Sequence, residues 1–294
     1  MHPSTEALIG LALQEDLAFG DLTSSAIFPV EHRSRARIVA RQDLVLCGIQ
    51  VASRVFERVD PKLEIKPRAS EGALLRKGAT VLEVEGSTIS LLSAERTALN
   101  FLQRLCGIAT WSQRFAAEAK AHSKTIRIAD TRKTTPGWRA LEKQAVRCGG
   151  CSNHRLSLGE HVMIKDNHVA AAGSIREAVA AARKAAPHLS RIEVEADTLK
   201  QVDAAVAAGA DVILLDNMRP VQIQAAIKRI AGRALVEISG GVKLQNLGDY
   251  CLQGVDVISI GALTHSATAA DLSMDVVSVT AGTKKALKAA QKNR

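Results

Sequence analysis

Apolar and polar positions alternate in two different ways along the chain, with the change near residue 110. In the first part the apolar segments are short and irregular. Leu8, Ile9, Leu11 and Ala12 recur at helical spacing, which predicts a first helix capped by Ser4 and running towards Asp16. Residues 18–25 read as a polar loop around Gly20 and Asp21. Residues 35–40 and 80–86 predict strands of an antiparallel or mixed sheet, and residues 49–59 a helix that Pro61 stops. Ser93 opens a long helical segment over 94–122, bent at Gly107, with Leu99, Leu102, Leu105 and Ala109 as its core stripe. Arg96, Asn100, Gln103 and Gly107 fall on another face, which by pattern alone is a solvated one.

In the second part, strand-like runs alternate with Ala-rich helical runs. The strands are 126–129, 162–164, 192–195, 212–215, 235–238 and 257–260; helices fall at 175–186, 199–208, 221–230 and 244–252. From residue 192 the strands repeat every 20 to 23 residues or so, the size of a compact βα unit. This predicts a parallel sheet closed, or nearly closed, into a barrel. Only six strands are clear, so a regular eight-fold barrel is not expected. Residues 271–280 are expected to return to the first part.

Composition narrows the class. A chain of 294 residues, 47% hydrophobic and 23% charged, is long enough for a sizeable core. No apolar run approaches a membrane span, and residues 1–15 lack the basic-then-apolar order of a signal peptide, so the cytoplasm is expected. With 3% aromatics, a base-stacking platform is not expected. The net charge of +9 comes partly from a C-terminal tail with Lys284, Lys285, Lys288, Lys292 and Arg294; the remainder suits an anionic ligand, with nucleic acid as the rival. Five scattered cysteines argue against a disulfide framework. Cys148-Gly-Gly-Cys151 has metal-like spacing, yet no second Cys/His pair completes a zinc site, and it reads as a Gly-rich turn.

The chemistry gathers where strands end. The first strand stops at Asp130-Thr131-Arg132-Lys133, the second at Lys165-Asp166-Asn167-His168, and His154-Arg155 lies between them. Ligands of α/β folds bind at the carboxyl ends of parallel strands. Arg132, Lys133, Arg155 and Lys165 can therefore form a cage for a polyanion, the bland alternative being pairing with Asp130 and Asp166. Glu195 and Asp216 end successive strands; they could hold Mg²⁺, accept from sugar hydroxyls, or pair with the basic cage. Ser239-Gly240-Gly241 and Gly261-Ala262, after the last two strands, resemble a phosphate cup.

These residues also resemble a known family. Thr131-Arg-Lys-Thr-Thr-Pro-Gly137 with Glu142-Lys143, Gly149-Gly150 with His154-Arg155, and Ile164-Lys-Asp-Asn-His168 are similar to the quinolinate phosphoribosyltransferases. So are Gly20-Asp-Leu-Thr23, Glu95-Arg96 with Leu99-Asn100, Gly107-Ile-Ala-Thr110, Ser239-Gly-Gly241, Gly254 to Gly261 and Asp271-Leu-Ser-Met274. Cys106 departs from the pattern, where Ser is common, and the tail beyond about residue 280 is outside it. The resemblance implies an N-terminal α/β sandwich domain over 1–110, joined by 271–294, and an incomplete, open α/β barrel of six to seven parallel strands over 111–270. It implies phosphoribosyl transfer from phosphoribosyl pyrophosphate to quinolinate with decarboxylation, in de novo NAD synthesis. Arg132, His154, Arg155 and Lys165 would hold quinolinate, with Arg96 reaching in from the other subunit of a homodimer or larger assembly. Thr131, Lys133 and Lys165 would meet the phosphoribosyl pyrophosphate. Glu195 and Asp216 would contact ribose and Mg²⁺, and Ser239, Gly240, Gly241, Ile260, Gly261 and Ala262 would seat the 5′-phosphate. Lys133, Lys165, Glu195 and Asp216 would be the catalytic set. A relative of the same fold with another acceptor, or a non-catalytic nucleic-acid-binding protein, are the alternatives.

Overall fold

A computed structural model describes residues 1–279. The basic tail expected on the surface lies outside the described residues. In chain order the elements are α1 (Pro3–Leu17), α2 (Leu22–Ile27), β1 (Arg33–Ala40), β2 (Leu44–Val45), α3 (Ile49–Val59), β3 (Glu64–Pro67), β4 (Leu74–Leu75), β5 (Thr80–Ser87) and α4 (Thr88–His122). There follow β6 (Arg127–Ala129), α5 (Arg139–Cys148), β7 (Val162–Ile164), α6 (Asp166–Ala172), α7 (Ile175–Ala185), β8 (Ile192–Ala196), α8 (Leu199–Ala207), β9 (Val212–Asp216) and α9 (Pro220–Ile230). The last are β10 (Leu235–Ser239), a 3₁₀ turn (Leu244–Asn246), α10 (Leu247–Tyr250), β11 (Val257–Ser259), α11 (Ala262–His265) and β12 (Leu272–Val279). The chain divides into two units. One holds Met1–Ser112, Thr135–Gly149 and the segment from Ala267; the other holds Gln113–Thr134 and Gly150–Ser266.

The first unit is built on an antiparallel sheet in the order β12-β1-β5-β3. Alternation along β1 buries Ala36 and Ile38, and β5 buries Val81, Leu82 and Val84. Helix α3 adds Val55 and Phe56 to the same interior, and Asp60 ends it as Pro61 forbids continuation. The expected return after residue 271 is strand β12, paired with β1 from Ser34 to Ala40.

Three local expectations are corrected. The cap of α1 is His2, whose Nδ1 accepts the N–H of Ser4, with Pro3 as the first helical residue. The supposed loop at 18–25 contains α2, because the Asp21 carboxylate accepts the N–H of Ser24 and starts a helix there. The long helix begins at Thr88 rather than Ser93, directly after Gly86 and Ser87 end β5; the Ser87 hydroxyl accepts the N–H of Ser90. Leu99, Leu102, Leu105 and Ala109 are buried as expected. Gly107 marks a close approach: the helix runs through it, and a Cβ there would lie 2.1 Å from the carbonyl oxygen of Thr268. Gln103, on the same face, donates to the carbonyl of Leu272.

The second unit is a six-stranded, wholly parallel sheet in the order β6-β11-β10-β9-β8-β7. The strands fall within a residue or two of the expected ones. Ser152 adds a single parallel bridge to Ala129, a rudimentary seventh strand outside β6. The sheet curls: Arg127, Val162, Glu193, Val212, Glu237 and Val257, one from each strand, line a single cavity of about 260 Å³. Only an open barrel brings residues of both edge strands to one interior. The helix expected over 244–252 is divided into the 3₁₀ turn and α10.

Candidate active site

Because strand side chains alternate, each β-strand of the barrel sends every second residue inward. Register then sets the layers: Ser239 lies beside Asp216, Glu195 beside Leu214, and Ser259 beside Ser239. At the carboxyl ends of the strands these residues surround a second, larger cavity of about 520 Å³. Thr131, Arg132, Lys133, His154, Arg155 and Lys165 line it, facing Glu195, Asp216 and the Ser239-Gly240-Gly241 turn. Eleven expected residues therefore meet in one place. Arg96 stands exposed on α4 of the first unit. Ile260 is buried, its N–H donating to the carbonyl of Ala129, and it is Ser259 that faces the cavity. Gly261 packs against Lys133, where a Cβ would lie 3.0 Å from Cδ, and Ala262 begins α11. Among the described residues these three do not line the cavity.

The cage is electrostatically loaded. Burial, and then the neighbouring Arg132, press the Arg155 guanidinium below its ordinary value, with Glu193 opposing. The Arg155 guanidinium donates to the carbonyl of His161 and the sulfur of Met163. The Nε of Arg132 is buried without a hydrogen-bond partner. Among the described residues neither guanidinium forms an ion pair, so the alternative in which these arginines pair with Asp130 or Asp166 does not hold; of the cage, Lys165 pairs with Glu195. Asp130 is fully buried and spends its carboxylate on Asn153 Nδ2 and the N–H of His154. A donor left bare beside a second cation is costly without an anion to receive it.

On the facing wall Lys165 Nζ lies 2.9 Å from the Glu195 carboxylate. Burial and then Glu195 raise the Asp216 carboxyl above the ordinary range, while Asn217, Lys165 and Lys133 pull it back. The two carboxylates are thus close enough to repel, and each has hard oxygen donors directed into the cavity. Asn217 Nδ2 donates to Asp216 at 2.7 Å. Asn217 itself sits at φ 54°, beside Gly240 at φ 89°, where a Cβ would come within 2.1 Å of the Asn217 side-chain oxygen.

His154 reaches the cavity edge, but its ring is engaged inward. Nδ1 accepts the N–H of Arg155, and Nε2 lies 3.2 Å from Glu193 and 3.5 Å from Glu237. Burial, then Glu193, push the Glu237 carboxyl up to about 7. These two acids were not singled out in the sequence. Their signal is a Glu at an inward position of an otherwise apolar strand, two residues before Glu195 and before Ser239. Met163, Leu214, Asn217 and Ser259 complete the lining. His168 accepts the N–H of Lys165 and starts α6.

The family model for the quinolinate phosphoribosyl transferase N-terminal domain matches residues 21–106, and that for the C-terminal domain matches residues 108–275. The chain is 43% identical to a probable nicotinate-nucleotide pyrophosphorylase (carboxylating) of Bacillus subtilis, over 94% of each chain. It is 39% identical to the human nicotinate-nucleotide pyrophosphorylase (carboxylating), over 91% of this chain and 90% of that one. The crystal structure of NadC from Streptococcus pyogenes superposes with a TM-score of 0.90 at 40% identity, covering 95% of this chain and 99% of that one.

Proposed function

Since the chain belongs to the quinolinate phosphoribosyltransferase family, we propose that its barrel mouth holds quinolinate against phosphoribosyl pyrophosphate. The enzyme is a carboxylating nicotinate-nucleotide pyrophosphorylase: it transfers the phosphoribosyl group to quinolinate, releasing pyrophosphate and CO₂ and giving nicotinate mononucleotide for de novo NAD synthesis. The observation that carries the proposal is the unpaired guanidinium donor of Arg132 beside buried Arg155. A flat dicarboxylate offers two forked acceptors to two forked donors.

In this reading Arg132 and Arg155 each take a quinolinate carboxylate, with Lys165 between acceptor and sugar. His154 acts through its ring contacts and the N–H it shares with Arg155 rather than as a lone donor. The backbone N–H groups of Gly240 and Gly241 and the Ser239 hydroxyl seat the 5′-phosphate. Glu195 and Asp216 accept from ribose hydroxyls. They also suit Mg²⁺, a hard cation that takes one or two carboxylates and keeps waters and substrate oxygens. When bound, it would neutralise the leaving pyrophosphate. Lys133 and Lys165 supply positive charge on the same side. The pyridine nitrogen, held in line, attacks the anomeric carbon through an oxocarbenium-like state, and the new pyridinium draws electrons from the adjacent carbon as CO₂ leaves. Positioning and charge stabilisation supply the rate. We further place the protein in the cytoplasm, a reading supported by free cysteines.

The direct test compares acceptors: with phosphoribosyl pyrophosphate and Mg²⁺, quinolinate is consumed with CO₂ release and nicotinate is not. Turnover of nicotinate alone overturns the reading. Replacing Gly240 by Ala pushes Asn217 off its hold on Asp216, so kcat/KM for phosphoribosyl pyrophosphate is expected to fall by roughly 10²-fold with unchanged circular dichroism.

We also infer a homodimer at least, with exposed Arg96 reaching the partner's quinolinate. Arg96→Ala and Arg132→Ala are then each inactive alone. Mixed after dissociation, they regain about a quarter of the wild-type rate, since half the dimers are hybrid and each hybrid has one intact site. No recovery on mixing, with hybrids demonstrated by mass, excludes a shared site.

A further inference from the structure

Cys148 ends α5, half-buried, and Cys47 follows β2, fully buried. They are distant in sequence and adjacent in the first unit. Both sulfurs and a carboxylate oxygen of Glu71 lie within 4.8 Å of one another. Glu71 is held there by the N–H of Gly48, at 2.9 and 3.1 Å from its two oxygens. From this geometry we propose that Cys47 and Cys148 are a reactive dithiol that closes to a reversible disulfide when a peroxide oxidises Cys148.

The environment assigns the roles. With the Cys47 sulfur beside it, the Cys148 thiol is held below its ordinary value, against burial and the charge of Glu71. Donating to Cys148, and then burial, raise Cys47 itself. Cys106 is the third neighbour and is set apart. Its thiol donates to the carbonyl of Cys47 at 3.3 Å, and burial pushes it up to about 12. Cys151 is buried and raised to about 12 by the same cause. Of the pair, Cys148 is the partly exposed sulfur and the one a peroxide in solution can reach. A three-ligand set in which the carboxylate already serves Gly48 does not complete a tetrahedral zinc shell.

The chemistry balances with a peroxide as the only co-reactant. The Cys148 thiolate attacks one peroxide oxygen; the S–O bond forms, the O–O bond breaks, and hydroxide takes up a proton as water. The resulting sulfenic acid no longer accepts from Cys47 as a thiolate did. The Cys47 sulfur then attacks the Cys148 sulfur; the S–S bond forms, the S–O bond breaks, and the departing hydroxide removes the Cys47 proton as a second water.

Peptide mapping reads this out independently of catalysis. Cleavage after Arg and Lys places Cys47 in residues 42–54, Cys106 in 105–114, and Cys148 with Cys151 in 148–155. The reduced full chain is treated with one equivalent of hydrogen peroxide, alkylated and digested. The expected product is a cross-link between peptides 42–54 and 148–155, lighter than their reduced sum by two hydrogens and reversed by dithiothreitol. Cys151→Ser leaves it in place, and Cys47→Ser replaces it with a dimedone-reactive sulfenic acid on Cys148. A bridge inside peptide 148–155, a bridge between 42–54 and 105–114, or dimedone labelling as strong in the wild type as in Cys47→Ser overturns the proposal.

Discussion

Replacing Arg132 by Ala is expected to lower kcat/KM for quinolinate by roughly 10³-fold, about 4 kcal/mol, while the protein stays at least as stable as the wild type. The loss follows from what the side chain does in each state. In the free enzyme its Nε is buried and bare, and its charge bears on Arg155. In the proposed complex it gains a carboxylate, and two charge-assisted hydrogen bonds at about 2 kcal/mol each give the stated figure. A long-range solvated charge would give under about 1 kcal/mol, so the magnitude separates a direct contact from a remote field. Arg132→Lys keeps the charge and loses the fork, and is expected to fall between. The stability arm has the opposite sign, because removing a cation relieves its neighbour. Steady-state kinetics and thermal unfolding on one preparation check both. A rate loss under about fivefold would remove Arg132 from the quinolinate site.

The second large effect is structural. Glu142 is fully buried in α5, and its carboxylate accepts from Arg104 at 2.8 Å, from the Thr135 hydroxyl at 2.8 Å and from the Thr135 N–H at 3.1 Å. Truncation to Ala removes the carboxylate acceptor of the Arg104 guanidinium, the Thr135 hydroxyl and a backbone N–H together. Breaking a buried pair by removing one partner costs about 3–5 kcal/mol, here nearer 3 because Arg104 keeps some solvent and its bond to the Ala267 carbonyl. At 2–4 °C per kcal/mol for a chain of this size, Tm is expected to drop by roughly 10 °C. Glu142→Gln keeps an acceptor for one donor and should recover part of the loss. A shift under about 2 °C for Glu142→Ala would mean that solvent already screens this pair.

The barrel half was legible in the sequence because a βα unit repeats its pattern: each short apolar strand, charged end and Ala-rich helix announces the next. The cage was legible for the same reason, since strand ends converge whatever the helices do. Residues 18–25 misled because Asp21 and Gly20 serve a loop and a helix cap equally well. Helix α5 went unread. Its buried stripe is only Leu141, Ala145 and Val146, set among charges, and the buried Glu142 and Lys143 mimic a solvated face. The meeting of Cys47 with Cys148 has no local signature, and that of Glu237 is only a single acid in an apolar strand. The inward turn of His154 depends on those same acids from other strands, so its residue type was visible and its direction was not.

The order in which the chain is made matters for β1. One flank of that strand pairs with β5, which is nearby in sequence, and the other with β12, the last strand described. A nascent chain emerging from a ribosome has therefore translated every barrel strand before the N-terminal sheet can be finished. Until residue 272 is out, β1 presents a row of open N–H and C=O groups along one edge, the kind of border on which strands of other chains add. Synthesis rate and chaperone cover over that interval are therefore expected to bear on how much of this protein escapes aggregation, alongside the stability of the finished molecule.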